Sequence, residues 1–256
     1  MSKKVAIVTG GTSGIGRATA LALQEHGYTV YELSRRAEGM PDICHIVADI
    51  TKEETLQAAV EQVLAVEGRL DLVVNNAGFG ISGAIEFTDT QEAQRLFDTL
   101  FFGMVRMNRC VIPLMRQQGR GRIVNISSVA APVPIPFQAY YSAGKAAINA
   151  YTMALANELR PFGVTVCAVM PGDIKTGFTA ARHKIIDGDD IYQGRIGRSV
   201  QRMEHDEQTG MDPAKVGRYI AAVASRQGNH HPLYATRIDY KFFVFLTKVL
   251  PARFLN

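Results

Sequence analysis

The stretch Val5-Ala6-Ile7-Val8-Thr9-Gly10-Gly11-Thr12-Ser13-Gly14-Ile15-Gly16 decides the fold. Its apolar first half has the length of a buried strand, and the pattern over residues 18–26, stopped by Gly27, is helical. Glycines at such a junction permit a tight turn and let the backbone approach a pyrophosphate, which a helix N-terminus attracts. The key glycines, Gly10, Gly14 and Gly16, are spaced G-x3-G-x-G, unlike the G-x-G-x-x-G of the common dinucleotide fingerprint.

Outward from this turn, strands and helices alternate. Residues 28–33, 44–48, 70–74, 123–126 and 164–169 read as strands. Helical patterns cover about 52–66, with Thr51 as N-cap and Glu53 and Glu54 in the first turn, about 90–118, kinked at Pro113, and 139–159. Parallel strands need helical crossovers, so this beat predicts one α/β domain over residues 1–256: a doubly wound parallel sheet of about seven strands with helices on both faces. Residues 177–211 break the beat and read as a lid or binding loop before Asp212-Pro213 opens another helix. The apolar tail over about 237–256 places Phe242, Phe245, Leu246, Val249 and Leu250 on one helical face that ends at Pro251.

Composition narrows the function classes. With 256 residues, 47% hydrophobic and 20% charged, the chain can bury a sizeable core, which excludes disorder and collagen. Cys44, Cys110 and Cys167 have no metal-ligand spacing, read as small buried hydrophobes, and suit a reducing, cytoplasmic setting. His26 and His45 read as surface or packing histidines, and the pair His230-His231 lacks companion ligands, so no metal site is expected. No apolar run approaches the roughly 18 residues of a membrane-spanning helix, and the run after Lys4 is too short for a signal-peptide core. The formal charge of +4 is scattered, which argues against nucleic-acid binding.

Four short motifs now carry a resemblance: the turn at 9–16, Asn75-Asn76-Ala77-Gly78 after the fourth strand, Tyr141-Ser142-Ala143-Gly144-Lys145 after the fifth, and Pro171-Gly172-Asp173-Ile174-Lys175-Thr176 after the sixth. In that order and placement they resemble the short-chain dehydrogenase/reductase family, over about residues 3–225, and its Rossmann-like fold. The hydroxysteroid and retinol dehydrogenase branch is the nearest in character, because its members carry a comparable apolar tail. The resemblance implies an oxidoreductase that interconverts a ketone or aldehyde and an alcohol, on a bulky apolar substrate such as a steroid or retinoid. A nucleotide-binding sensor that has kept the fold is the alternative.

By the same resemblance, Tyr141 is the acid/base, Lys145 holds the nicotinamide ribose and tunes the phenol, and Ser128 binds the substrate oxygen. Ser127 is the near miss. Tyrosine and lysine four residues apart share a helix face, and a nearby ammonium favours the phenolate, so the tyrosine pKa is expected below 10. The glycine turn, Gly10, Thr12, Ser13, Gly14, Ile15 and Gly16, would bind the pyrophosphate. Asp49 and Ile50 would bracket the adenine, Asn75, Ala77 and Gly78 would form the adenosine-side wall, and Pro171, Gly172, Ile174 and Thr176 the nicotinamide-side wall. At the end of the second strand, Ser34 stands where an acid would select NAD, and Arg35 and Arg36 follow. Arginine suits a 2′-phosphate, so NADP is expected and NAD is the alternative, in which the arginines form a solvated turn and Glu32 shifts the register.

One departure stands out. Similar proteins carry an asparagine, part of a water-linked proton relay, where this chain has Leu100. Arg182, His183 and Lys184 could meet an anionic substrate group or form a solvated loop face. For the tail, three roles are open: a cover over the active-site mouth, subunit packing, or shallow membrane contact through Lys241, Lys248 and Arg253. Resemblance also implies a homo-oligomer built on the helices near 90–118 and 139–159.

Overall fold

Alternating residues of each strand face opposite layers, and that division builds the molecule. The computed structural model describes residues 3–226 and 231–249. Strand β1 (Lys4–Thr9) sends Ala6 and Val8 to one side, against helix α1 (Gly14–Glu25) and helix α8 (Pro213–Ser225). Val5 and Ile7 pack on the other side, under α2 (Glu53–Glu67), α4 (Gly103–Gln118) and α5 (Ala139–Leu159). The period of two in a strand makes both faces apolar, as a sheet covered by two helical layers requires.

The other strands are β2 (Tyr28–Ser34), β3 (Cys44–Val47), β4 (Leu72–Asn75), β6 (Gly121–Ile126), β7 (Val164–Met170) and β9 (Leu233–Ala235). They join β1 in a seven-stranded sheet of order β3-β2-β1-β4-β6-β7-β9, parallel throughout. The order reverses between β1 and β4, the place where open α/β sheets hold their ligands. On the outer face, α8 lies so close to α1 that a Cβ at Gly217 would strike the backbone of Ala18.

Several local expectations need correcting. The N-cap of α2 is Lys52, whose side chain makes no capping bond. Thr51 instead donates its N–H and hydroxyl to Asp49 Oδ1, at 3.0 and 2.8 Å, in a local turn. The expected helix over 90–118 is α3 (Thr90–Phe97), a π-helical turn (Asp98–Phe102) and α4; the departure from α geometry lies at this turn, and α4 runs on through Pro113. Cys167 is buried as expected, but Cys110 is half-buried and Cys44 exposed.

Residues 177–211 hold regular structure that their polar sequence hides: α6 (Phe178–Ala181), the short strand β8 (His183–Lys184), which pairs with β5 (Ile81–Ser82), and α7 (Arg195–Gln208). Asp189 Oδ1 accepts from the N–H groups of Ile196 and Gly197 and so caps α7. Ion pairs Arg182–Glu207 and Lys184–Glu204 tie the start of the segment to α7, and His183–Glu92 ties it to α3. The tail forms α9 (Ile238–Val249). Tyr240 fastens it, accepting from Asp173 N–H and donating to Asp173 Oδ2 at 3.1 and 3.2 Å, while Phe242, Phe245 and Val249 are exposed. His230, Leu250, Pro251 and Arg253 lie outside the described residues, as does the side chain of Lys248.

Candidate active site

Every turn that leaves the C-terminal end of β1, β2, β3, β4, β6 or β7 opens onto one cleft of about 1200 Å³. Of the residues expected to be catalytic or to bind the cofactor, all line it except Gly16 and Asn75.

At the nucleotide end the backbone does the work. Gly10 and Gly14 take φ of +65° and +53°, the left-handed region that L side chains avoid. Gly16 lies behind the turn, where a Cβ would overlap the carbonyl oxygen of Gly10 and the amide of Asn76. Thr9 Oγ1 accepts from the N–H groups of Asn76 and Ala77 at 3.0 and 3.1 Å, and Asn76 Nδ2 donates to the carbonyls of Thr9 and Gly10 at 3.1 and 3.2 Å. These bonds lock the loop after β4 to the glycine turn. Asn76, part of the motif but given no role by the sequence, therefore lines and braces the cleft. Its neighbour Asn75 turns into the protein, where Nδ2 donates to Asn108 Oδ1 and Asn125 Oδ1 at 2.8 and 2.9 Å. A strand's alternation is the signal that separates the two asparagines.

Ser34, Arg35 and Arg36 line the cleft and Glu32 does not. Glu32 is wholly buried beneath Gly11 and pairs with His45, whose Nε2 reaches the carbonyl of Arg36 at 2.9 Å. Asp49 would be raised by its partial burial, but the two bonds from Thr51 and the charges of Arg35 and Lys52 hold it below the usual carboxylate range. Gly78 leaves the room that the side chain of Leu100 fills.

At the other end stand Ser128, Tyr141 and Lys145. Ser128 follows β6, and its hydroxyl hydrogen-bonds the Tyr141 phenol. Ser127, one residue earlier, is buried and donates to the carbonyl of Lys145 at 3.1 Å, which ties β6 to α5. Lys145 Nζ lies 5.6 Å from the Tyr141 ring centre and donates to the carbonyl of Ile126 at 2.7 Å. The electrostatics contradict the expected direction for the tyrosine. Burial pushes Tyr141 up to about 12, outweighing the Ser128 hydrogen bond and the positive charge of Arg182. Burial likewise brings Lys145 down to about 7, so the ammonium that was to stabilise a phenolate is itself disfavoured.

Leu100 sits in the π-helical turn, buried with Ile81, Leu96 and Ile185, and Tyr141 packs against this cluster. The position offers no hydrogen bond. Arg182 is buried rather than part of a solvated face, whereas His183 and Lys184 are exposed. No described tail residue lines the cleft.

The residues fit a dinucleotide: Gly10 and Gly14 hold a left-handed turn, Gly16 has no room for a side chain, and two arginines border the far end. Tyrosine beside lysine and serine is equipment for proton transfer at a carbonyl oxygen. Fold and cleft together define the class of nucleotide-binding oxidoreductases. The chain belongs to the short-chain dehydrogenase/reductase family, whose short chain dehydrogenase model matches residues 4–185. It is a dehydrogenase/reductase acting on CH–OH or C=O groups.

The chain is 38% identical over 241 residues to a 3-ketodihydrosphingosine reductase of Bacteroides thetaiotaomicron, covering 93% of this chain and 88% of that one. Dehydrogenase/reductase SDR family member 7B of Xenopus tropicalis is 30% identical over 241 residues, with coverages of 87% and 75%. A short-chain dehydrogenase from Streptomyces avermitilis superposes with a TM-score of 0.85 at 34% identity, covering 96% of this chain and 92% of that one. Solved neighbours are described variously with NAD, NADH, NADP or NADPH bound.

Proposed function

We propose that this protein interconverts an apolar, bulky or long-chain ketone and its secondary alcohol, with NADP as hydride carrier and Tyr141 as acid/base. The observation that carries the reading is the Tyr141 phenol, hydrogen-bonded by Ser128 and flanked by Lys145, in a cleft continuous with the glycine turn. The bound dinucleotide supplies or accepts the hydride. Gly10, Thr12, Ser13, Gly14, Ile15 and Gly16 would cradle its pyrophosphate. Asp49, Ile50, Ala77 and Gly78 would border the adenosine, with Asn76 taking the wall position expected of Asn75. Pro171, Gly172, Ile174 and Thr176 would border the nicotinamide. Arg35 and Arg36 at the mouth, with Ser34 in place of an acid, support NADP over NAD.

In the reductive direction Tyr141 holds its proton, as its raised pKa favours, and delivers it to the substrate oxygen that Ser128 orients. Lys145 anchors the ribose side and keeps the tyrosine face of α5 in register with β6 through Ile126. The relay through an asparagine is absent, so the tyrosine must regain its proton by another route than position 100. Phe79, Leu100, Ile135, Phe178 and Met203 make the substrate end apolar. The likeness to a 3-ketodihydrosphingosine reductase supports testing a sphingoid ketone before steroids and retinoids. NADPH consumption should be followed with all three substrate types. Turnover that vanishes in Tyr141→Phe supports the reading, and NADPH binding without turnover of any ketone opposes it. Homo-oligomerisation through α4 and α5 is part of the proposal, in keeping with exposed Phe102 and Met153, and light scattering tests it.

A further inference from the structure

The substrate end holds a charged side chain that the reaction above does not use. Arg182 lines the cleft yet is only 6% exposed. Its Nη2 donates to Glu207 Oε1, and Thr179 Oγ1 donates to Glu207 Oε2, so both carboxylate oxygens are engaged. The other guanidinium nitrogens, Nε and Nη1, are buried with no hydrogen-bond partner. Leaving such groups unpaired forfeits their solvation with nothing in return, so a native protein rarely keeps them without a use. The Phe178 ring covers the guanidinium, 5.6 Å from its carbon, and also stands 5.8 Å from the Tyr141 ring.

We propose that Arg182 is a substrate-specificity residue: the N–H groups of its unpartnered Nε and Nη1 bind a neutral acceptor oxygen, a hydroxyl or second carbonyl, carried by the ketone near its reacting carbon. This rests on the proposed reaction and names its substrate class more closely. The free valences are all donors, so the group they take must be an acceptor. Glu207 cancels the charge of Arg182, and Asp173 adds a carboxyl nearby, so a neutral oxygen fits better than a carboxylate. The ligand gains these donors by displacing the Phe178 ring, which touches both Arg182 and Tyr141 and so links recognition to the reacting position.

Titration calorimetry tests this on protein saturated with NADP+ or NAD+, whichever binds, using decan-3-one, 1-hydroxydecan-3-one and 4-oxodecanoate. The hydroxy ketone is expected to bind at least tenfold more tightly than decan-3-one. Arg182→Leu should abolish that preference while leaving decan-3-one within threefold, and Arg182→Lys should keep part of it. Glu207→Gln, which retains the size of the side chain, should improve 4-oxodecanoate binding about tenfold. Equal affinities of the two neutral ketones for the wild type would overturn the proposal. So would Arg182→Leu weakening both alike at an unchanged melting temperature. Because the readout is binding, it stands apart from the turnover assay: a loss of NADPH oxidation would sink the reaction and leave the affinity pattern to judge Arg182.

Discussion

The two ends of one cleft are built by different means. At the nucleotide end, main-chain groups and the absence of side chains make the surface: Gly10 and Gly14 at positive φ, Gly16 pressed against Gly10 and Asn76. At the substrate end side chains make it, several of them from 177–211 and held by ion pairs between residues far apart in sequence, such as Arg182 and Glu207. Recognition by backbone needs glycine at fixed places and so writes itself into the sequence. Recognition by side chains needs only that the right residue arrive, and many sequences can bring it.

That contrast predicts which changes act on all substrates and which discriminate. The largest effect belongs to the shared chemistry. Tyr141→Phe should lower kcat by about 10²–10⁴, the usual worth of a positioned acid/base, for every ketone and with nucleotide binding intact. A variant that loses only one substrate class would break the division. Next, replacing Arg35 and Arg36 together by alanine should weaken NADPH by about 10–100-fold, as loss of charge-assisted bonds worth roughly 1.5–3 kcal/mol implies, and NADH by less than threefold. Equal losses in a fluorescence titration would place NAD ahead of NADP.

Smaller effects test the ground between the ends. Leu100→Asn puts an amide among Ile81, Leu96 and Ile185 and should lower stability by about 1–3 kcal/mol in denaturant melts. If position 100 carries no protons, kcat should stay within threefold; a clear rise would show that a relay can be restored there. Lys145 gives the most pH-dependent signal. With its pKa brought down to about 7, the folded protein has released a proton that the unfolded chain still binds up to 10.5. Stability of the cofactor-free protein therefore rises with pH through that window. Lys145→Met should flatten the rise, read as the difference between the two melting curves from pH 7 to 9.5. Tyr141 acts with the opposite sign only above pH 10, where the unfolded phenol ionises before the folded one.

The legibility of the sequence follows the same line. Strands β1, β2 and β7 and helix α5 were readable because each carries an unbroken apolar run or period between glycine or polar breaks. Nineteen of the chosen positions reach the cleft, most because the turns at strand ends place them there, Tyr141 and Lys145 because α5 does. Asn75 was confused with Asn76 because both stand at a strand terminus, where one residue decides inside from outside. Helix α7 is hidden in the sequence because its hydrophobic face is only Ile196, Val200 and Met203, and its cap, Asp189, lies before Gly194 rather than next to the first turn. The tyrosine pKa went the wrong way because charge can be read from residue types and desolvation cannot.

The tight seat of Gly217 on Ala18 has a consequence for how the molecule comes into being. Helix α1, which presents the nucleotide turn, is among the first segments made, yet the surface it lies on is supplied by α8, some two hundred residues later. During synthesis the emerging N-terminal third must wait with one face of α1 bare, and the outermost strand, β9, follows later still. Closure of the fold is thus a late event in the life of the nascent chain, and a ribosome that stalls before α8 leaves a polypeptide with the binding turn in hand and nothing to brace it.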